Sequence, residues 1–213
     1  MKRMPYQTWL AMTPAAVAGL PTENVPLMSV SESHMSFSRG GIGSSVIDYS
    51  ISVVGPGERA RRLWAAALAR GLSPVAKVQA SCSWELASFP YLPVMDLVAE
   101  HACNLAQSGV RGVMLSWSCG CAPSPNLRVF REIQKDERDP GRVLDRIAAE
   151  LYGERAAPAV RKAWKSFSDG FRRFPFNSSS ACKGPQHLGP ANPLYPTPTG
   201  YSTTITGIPY DDL

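Results

Sequence analysis

The chain has 213 residues, 44% hydrophobic and 18% charged, which fits a folded domain with a substantial core and excludes an intrinsically disordered chain. Its 22 basic and 17 acidic side chains give a net charge of +5 with no long block of Lys or Arg, so a nucleic-acid partner is not expected. No apolar run approaches the roughly 20 residues that span a membrane, so no membrane partner is expected either.

Residues 1–24 are poorly patterned, and Pro5, Gln7 and Thr8 interrupt the apolar content that a signal peptide would need. Five cysteines, an odd number, do not suggest a disulfide framework, so reduced thiols in a cytoplasmic setting are expected. "VPLMSVSE" (25–32) reads as a buried strand ending in polar residues, and "RGGIGS" (39–44) as a flexible turn. "SSVIDYSISVV" (44–54), rich in Val, Ile and Tyr, reads as a second strand that "GPG" (55–57) stops. Ala60, Leu63, Trp64, Ala67 and Leu68 then share one helical face, with Gly71 as the C-terminal stop.

"SPVAKVQAS" (73–81) is the third expected strand, and Pro93 opens a helix whose stripe is Val94, Leu97, Val98, Ala102, Leu105 and Ala106. "VRGVMLSWS" (110–118) is the fourth strand, followed by the loop "CGCAPSPN". Strands alternating with helices predict βαβ units and a parallel sheet, either closed into a barrel or open with helices on both faces. In both cases function sits at the C-terminal ends of the strands. Glu32 and His34, Cys82 to Glu85, and Trp117 to Cys121 all fall there.

From residue 139 the pattern becomes helical, with Asp139 and Pro140 as cap and first turn. Val143, Leu144, Ile147, Ala148 and Leu151 form one stripe; a second helix after Pro158 carries Val160, Ala163, Trp164, Phe167 and Phe171. The residues beyond Phe176 are dense in Pro, Gly, Ser and Tyr without periodicity, unusual inside a compact domain. The organisation expected is an N-terminal segment 1–24, a half barrel 25–135, a helical segment 136–176 and an irregular tail 177–213.

Several segments resemble a poorly characterised group of bacterial proteins related to glycoside hydrolases with a TIM-barrel catalytic domain. These are "VPLMSVSE", "DYSISVVGPG", "AKVQASCSWELASFPYLPVMDLVAEH", "GVMLSWSCG", "PSPN" and "GPQHLGPANPLY" through "GIPYDDL". The resemblance runs from about residue 25 to the end. It implies an α/β fold, a partial (β/α)8 TIM barrel holding the last four βα units, followed by the helical pair and the irregular tail. It also implies that the chain is an interior portion of a longer protein, with carbohydrate as substrate or ligand. Self-association, or pairing with the other half-barrel, follows from the same reading.

Glycoside hydrolysis uses two carboxyl groups, about 5–5.5 Å apart for a nucleophile with an acid/base and roughly 6.5–9.5 Å when a water must fit between them. Glu85 and Glu32 are the candidates, each just past a strand. If the strands are the fifth to eighth of a barrel, the resemblance implies Glu85 as nucleophile or stabilising carboxylate and Trp117 as a sugar platform. The acid/base of such enzymes would lie on a strand that this chain does not contain. Trp84 is a second stacking candidate, and Asn126 and Tyr195 are candidate rim contacts. Trp64 and Trp164, on apolar stripes, are expected to pack.

A non-catalytic carbohydrate-binding module is the alternative reading. A further alternative is a zinc-dependent methyltransferase-like barrel using His34, Cys82 and Cys119 or Cys121. Small residues filling tight loops explain these cysteines more simply, so no metal and no cofactor are expected. P-loop, dinucleotide, H-E-x-x-H and G-x-S-x-G patterns are all missing.

Overall fold

The computed structural model describes residues 13–46, 48–83, 85–86, 91–115, 123–135 and 139–174. It is a mixed α/β structure. In chain order come β1 (Pro26–Val30), β2 (Ser36–Arg39), β3 (Ile42–Ser45), α1 (Glu58–Ala69), β4 (Ser73–Val78), α2 (Met95–Ala106) and β5 (Gly112–Leu115). Three helices follow: α3 (Pro125–Lys135), α4 (Pro140–Tyr152) and α5 (Ala157–Phe171).

The parallel sheet has three strands in the order β1-β4-β5, with Met28 beside Val75 and Lys77 beside Met114. Strand alternation gives β4 two unlike faces. Pro74, Ala76 and Val78 are buried, while Ser73, Val75 and Lys77 are only half-buried. Ala76 and Val78 join the main core with residues of α1 to α5, so the helices at 140–171 share one core with the sheet. The second face carries Met28 and Met114, 50% and 40% exposed.

The helices α1, α2, α4 and α5 lie where apolar stripes predict them. Trp64 and Trp164 are buried, at 1% and 4% exposure. α2 buries Met95, Leu97, Val98, Ala102 and Leu105; each large aliphatic side chain removed from water contributes roughly 1.5–3 kcal/mol. Asp139 caps α4, its Oδ1 accepting from the backbone N–H of Gly141 (3.0 Å) and Arg142 (3.2 Å), with Pro140 in the first turn. α3 was not expected from the sequence. It buries Asn126, Val129, Phe130 and Ile133, spaced as one helical face.

One expectation is overturned. A parallel strand was expected over 44–54, but among the described residues there the strand is Ile42–Ser45, and it pairs antiparallel with β2 in a two-stranded hairpin. Gly40 and Gly41 form its turn at φ 58° and 80°, the doubly positive geometry that a tight hairpin favours and glycine adopts without strain. Beyond it, the backbone at 50–53 makes other bonds. Ile51 and Ser52 donate their N–H groups to the Glu85 carboxylate, and Val53 donates to the Ser50 hydroxyl. A chain whose amides serve a side chain has none left for a ladder. The parallel strands described therefore number three, not four, and they do not close a barrel.

Candidate functional site

The carboxyl ends of β1 and β4 run directly into a buried polar cluster. Ser31, Glu32 and Ser33 follow β1; Gln79, Ser81, Ser83 and Glu85 follow β4, and all are buried. Burying so many polar groups is tolerated only where partners satisfy them. The loop from 50 to 57 supplies many of those partners and lies against both strand ends.

Glu85 is fully buried. Its carboxylate accepts from five donors on two segments: the Ser50 hydroxyl (2.6 Å), the Ile51 N–H (2.7 Å), the Ser52 N–H (3.2 Å), the Ser52 hydroxyl and the Ser83 hydroxyl (2.5 Å). An ionised carboxylate has about four lone-pair sites, so both oxygens are saturated. Bonds of this kind to a charged acceptor are the strong ones. Arg39 continues the network outward, its Nη1 donating to the Ser52 hydroxyl (2.7 Å) and its Nη2 to the Ser52 carbonyl (2.8 Å).

Glu32, also fully buried, has the opposite surroundings. Neither carboxyl oxygen finds a hydrogen-bond partner among the described residues. Burial holds its pKa well above the ordinary carboxylate range; its own backbone N–H opposes this, and the charges of Glu85 and Asp48 reinforce it. His101 Nδ1 lies 3.6 Å from Oε1. That separation would suit an ion pair, yet burial drives the His101 pKa down to about 3. Neutral forms of both groups therefore meet here, because neither charge finds enough donors or acceptors to offset desolvation. His101 Nε2 and the Ser31 hydroxyl are 2.8 Å apart and share a hydrogen bond.

The "GPG" segment closes over this pair. A Cβ on Gly55 would sit 2.5 Å from Ser31 Oγ and 2.8 Å from His101 Nε2, so only glycine fits. The Gly55 carbonyl accepts from Asn104 (2.9 Å), and Gly57 donates to the Ser31 carbonyl (2.8 Å).

Asn126, expected at the rim, is instead buried at the start of α3. Its amide donates to the carbonyls of Ala80 (2.8 Å) and Leu92 (2.8 Å), tying the helix to the end of β4. Trp84, Trp117 and Tyr195 lie outside the described residues, as do Cys119 and Cys121. Cys82 is buried in the main apolar core. His34 sits at φ 65°, its Nδ1 2.7 Å from the Ser33 hydroxyl and 2.9 Å from Arg59 Nη1. Burial and the Arg59 charge both lower its pKa. Among the described residues no group of three or more His, Cys, Asp or Glu could hold a metal ion.

The structure thus brings Glu85 and Glu32 to the same end of the sheet and adds groups that sequence reasoning left out. Ser50, Ser52 and Ser83 were read as strand or loop residues, and His101 as part of a helical stretch. Comparison with protein families, curated proteins and solved structures finds no match to this chain. No helix among the described residues is long and apolar enough to cross a membrane.

Proposed function

We propose that the chain is a glycoside-hydrolase-like unit that binds carbohydrate without cleaving glycosidic bonds. The carbohydrate part rests on the resemblance of the segments from "VPLMSVSE" to "GIPYDDL". The non-catalytic part rests on one observation, the saturation of Glu85. A nucleophilic carboxylate must bring an oxygen to an anomeric carbon. Both oxygens of Glu85 are buried and occupied by Ser50, Ile51, Ser52 and Ser83. Its role is to hold the loop at 50–53 against the end of β4.

The same proposal takes the three-stranded sheet as part of a larger (β/α)8 barrel. The face bearing Met28 and Met114 supports this, because apolar side chains there would pack inward against further strands. The test is direct: the full chain is incubated with a panel of aryl glycosides and followed for phenol release. No turnover is expected, while sugar titrations followed by amide NMR shifts should report binding. Turnover that Glu85→Gln abolishes, in a variant with the wild-type unfolding midpoint, would overturn the reading.

One observation favours acid/base cleavage instead. Burial, reinforced by the charge of Glu85, holds the Glu32 pKa well above the ordinary carboxylate range, and an acid of raised pKa paired with a second carboxyl group is what glycosidic cleavage uses. On that reading, turnover in the same assay would fall as pH rises through the Glu32 pKa.

A further inference from the structure

We propose that the cleft between the β2–β3 hairpin and the end of α5 binds an oxyanion, carried by a carboxylated or sulfated sugar. The saccharide part rests on the carbohydrate reading above; the anion part stands on the residues of the cleft itself. The cavity, of about 470 Å³, falls in the range of small-ligand sites and is lined by Ser38, Arg39, Gly40, Ser52, Arg172 and Arg173 with two valines. No carboxylate is among its lining residues.

Arg39 is the anchor. Its Nη1 donates to the Ser52 hydroxyl and the Phe174 carbonyl, and its Nη2 donates once to the Ser52 carbonyl. A guanidinium has five N–H donors, so the Nε–H and the second Nη2–H remain without a partner among the described residues. Those two hydrogens form one side of the guanidinium fork, which matches a carboxylate or sulfate edge bidentately. The guanidinium also stacks over the Phe37 ring, 4.7 Å from its centroid, which fixes its plane without using any of its N–H groups. The donor pair is therefore held in place before any ligand arrives, which lowers the ordering cost of binding.

Two more arginines face the same space. Arg172 pairs with Glu100 on α2. Arg173 is exposed, and none of the ion pairs among the described residues involves it. Basic residues after a helix C-terminus are favoured by the helix dipole, which accounts for Arg172 and Arg173. It does not account for Arg39, on a hairpin, nor for the convergence of all three. Ser38, exposed on β2, adds a hydroxyl donor at the mouth.

The test titrates the full chain with sodium sulfate, with a uronic acid disaccharide and with its neutral analogue, following backbone amide NMR shifts at 38–40, 53–54 and 172–173. Sulfate and uronate should shift these amides at millimolar concentration, more weakly as salt rises, and Arg173→Gln should weaken both by about tenfold. Arg173 is exposed, so the variant should keep its unfolding midpoint. If sulfate and uronate bind equally and the neutral sugar does not bind, the anion cleft stands and the carbohydrate reading fails. If neutral and acidic sugars bind equally and Arg173→Gln changes nothing, the carbohydrate reading stands and the cleft proposal is overturned. Amides unmoved by either anion also overturn it.

Discussion

Glu85 and Glu32 each follow a parallel strand, seven residues past β4 and two past β1, and both are fully buried. Their surroundings are opposite. Glu85 accepts from five donors on Ser50, Ile51, Ser52 and Ser83, whereas Glu32 has no hydrogen-bond partner among the described residues and lies beside a neutral histidine. One carboxylate fastens a loop; the other is a buried acid whose pKa burial holds well above the ordinary carboxylate range. Position at a strand end, then, says where a carboxyl group is carried. The groups that reach it from elsewhere in the chain decide its state.

The largest expected effect breaks the Glu85 side. Glu85→Gln keeps the shape but turns an NH2 group toward donors, leaving at least two buried donors unsatisfied. A loss of about 3–5 kcal/mol in unfolding free energy is expected from urea unfolding at pH 7. A loss under about 1 kcal/mol would mean that the network holds little, since each unsatisfied donor should cost about 1–3 kcal/mol.

Glu32→Gln should do the reverse, and its sign depends on pH. The folded-state pKa of Glu32 is raised, so the stability it contributes is fully present below its unfolded value of about 4.3 and is lost as pH rises. His101 is depressed to about 3, so its contribution is present above its unfolded value, roughly 6.5, and lost as pH falls toward 3. Above about pH 6.5, where His101 no longer offsets it, the wild type should therefore lose stability as pH rises, by up to about 1.4 kcal/mol per pH unit until Glu32 ionises. Glu32→Gln should remove that decline and leave the acid-side loss caused by His101. Equal slopes for the two proteins above pH 6.5 would remove Glu32 as the titrating group.

Much of the fold was legible because its determinants are local. Asp139 followed by Pro140 marks a helix start, and the stripe from Val143 to Ala148 marks its buried face. The helix at 125–135 was also legible in principle, since Asn126, Val129, Phe130 and Ile133 keep helical spacing. The loop read into "CGCAPSPN" hid its first turn. The error at 44–54 has a different cause. "SSVIDYSISVV" has strand composition, but the partner that redirects its amides is Glu85, between 33 and 35 positions later in the chain.

The site shows the same limit. That Glu85 and Glu32 would lie near strand ends followed from the alternation of strands and helices. That His101 would face Ser31 from 70 positions away did not. Nor did the role of "GPG": it reads as punctuation, yet Gly55 is there because Ser31 and His101 leave no room for a Cβ.

Amide hydrogen exchange at Ile51 and Ser52 tests the central claim most directly. Both residues lie outside any strand of the sheet, so ladder bonds cannot protect them. With their N–H groups held on Glu85 at 2.7 and 3.2 Å, exchange should be as slow as in β4, and Glu85→Gln should release these two amides first. Rapid exchange of both in the wild type would contradict the structural role of Glu85.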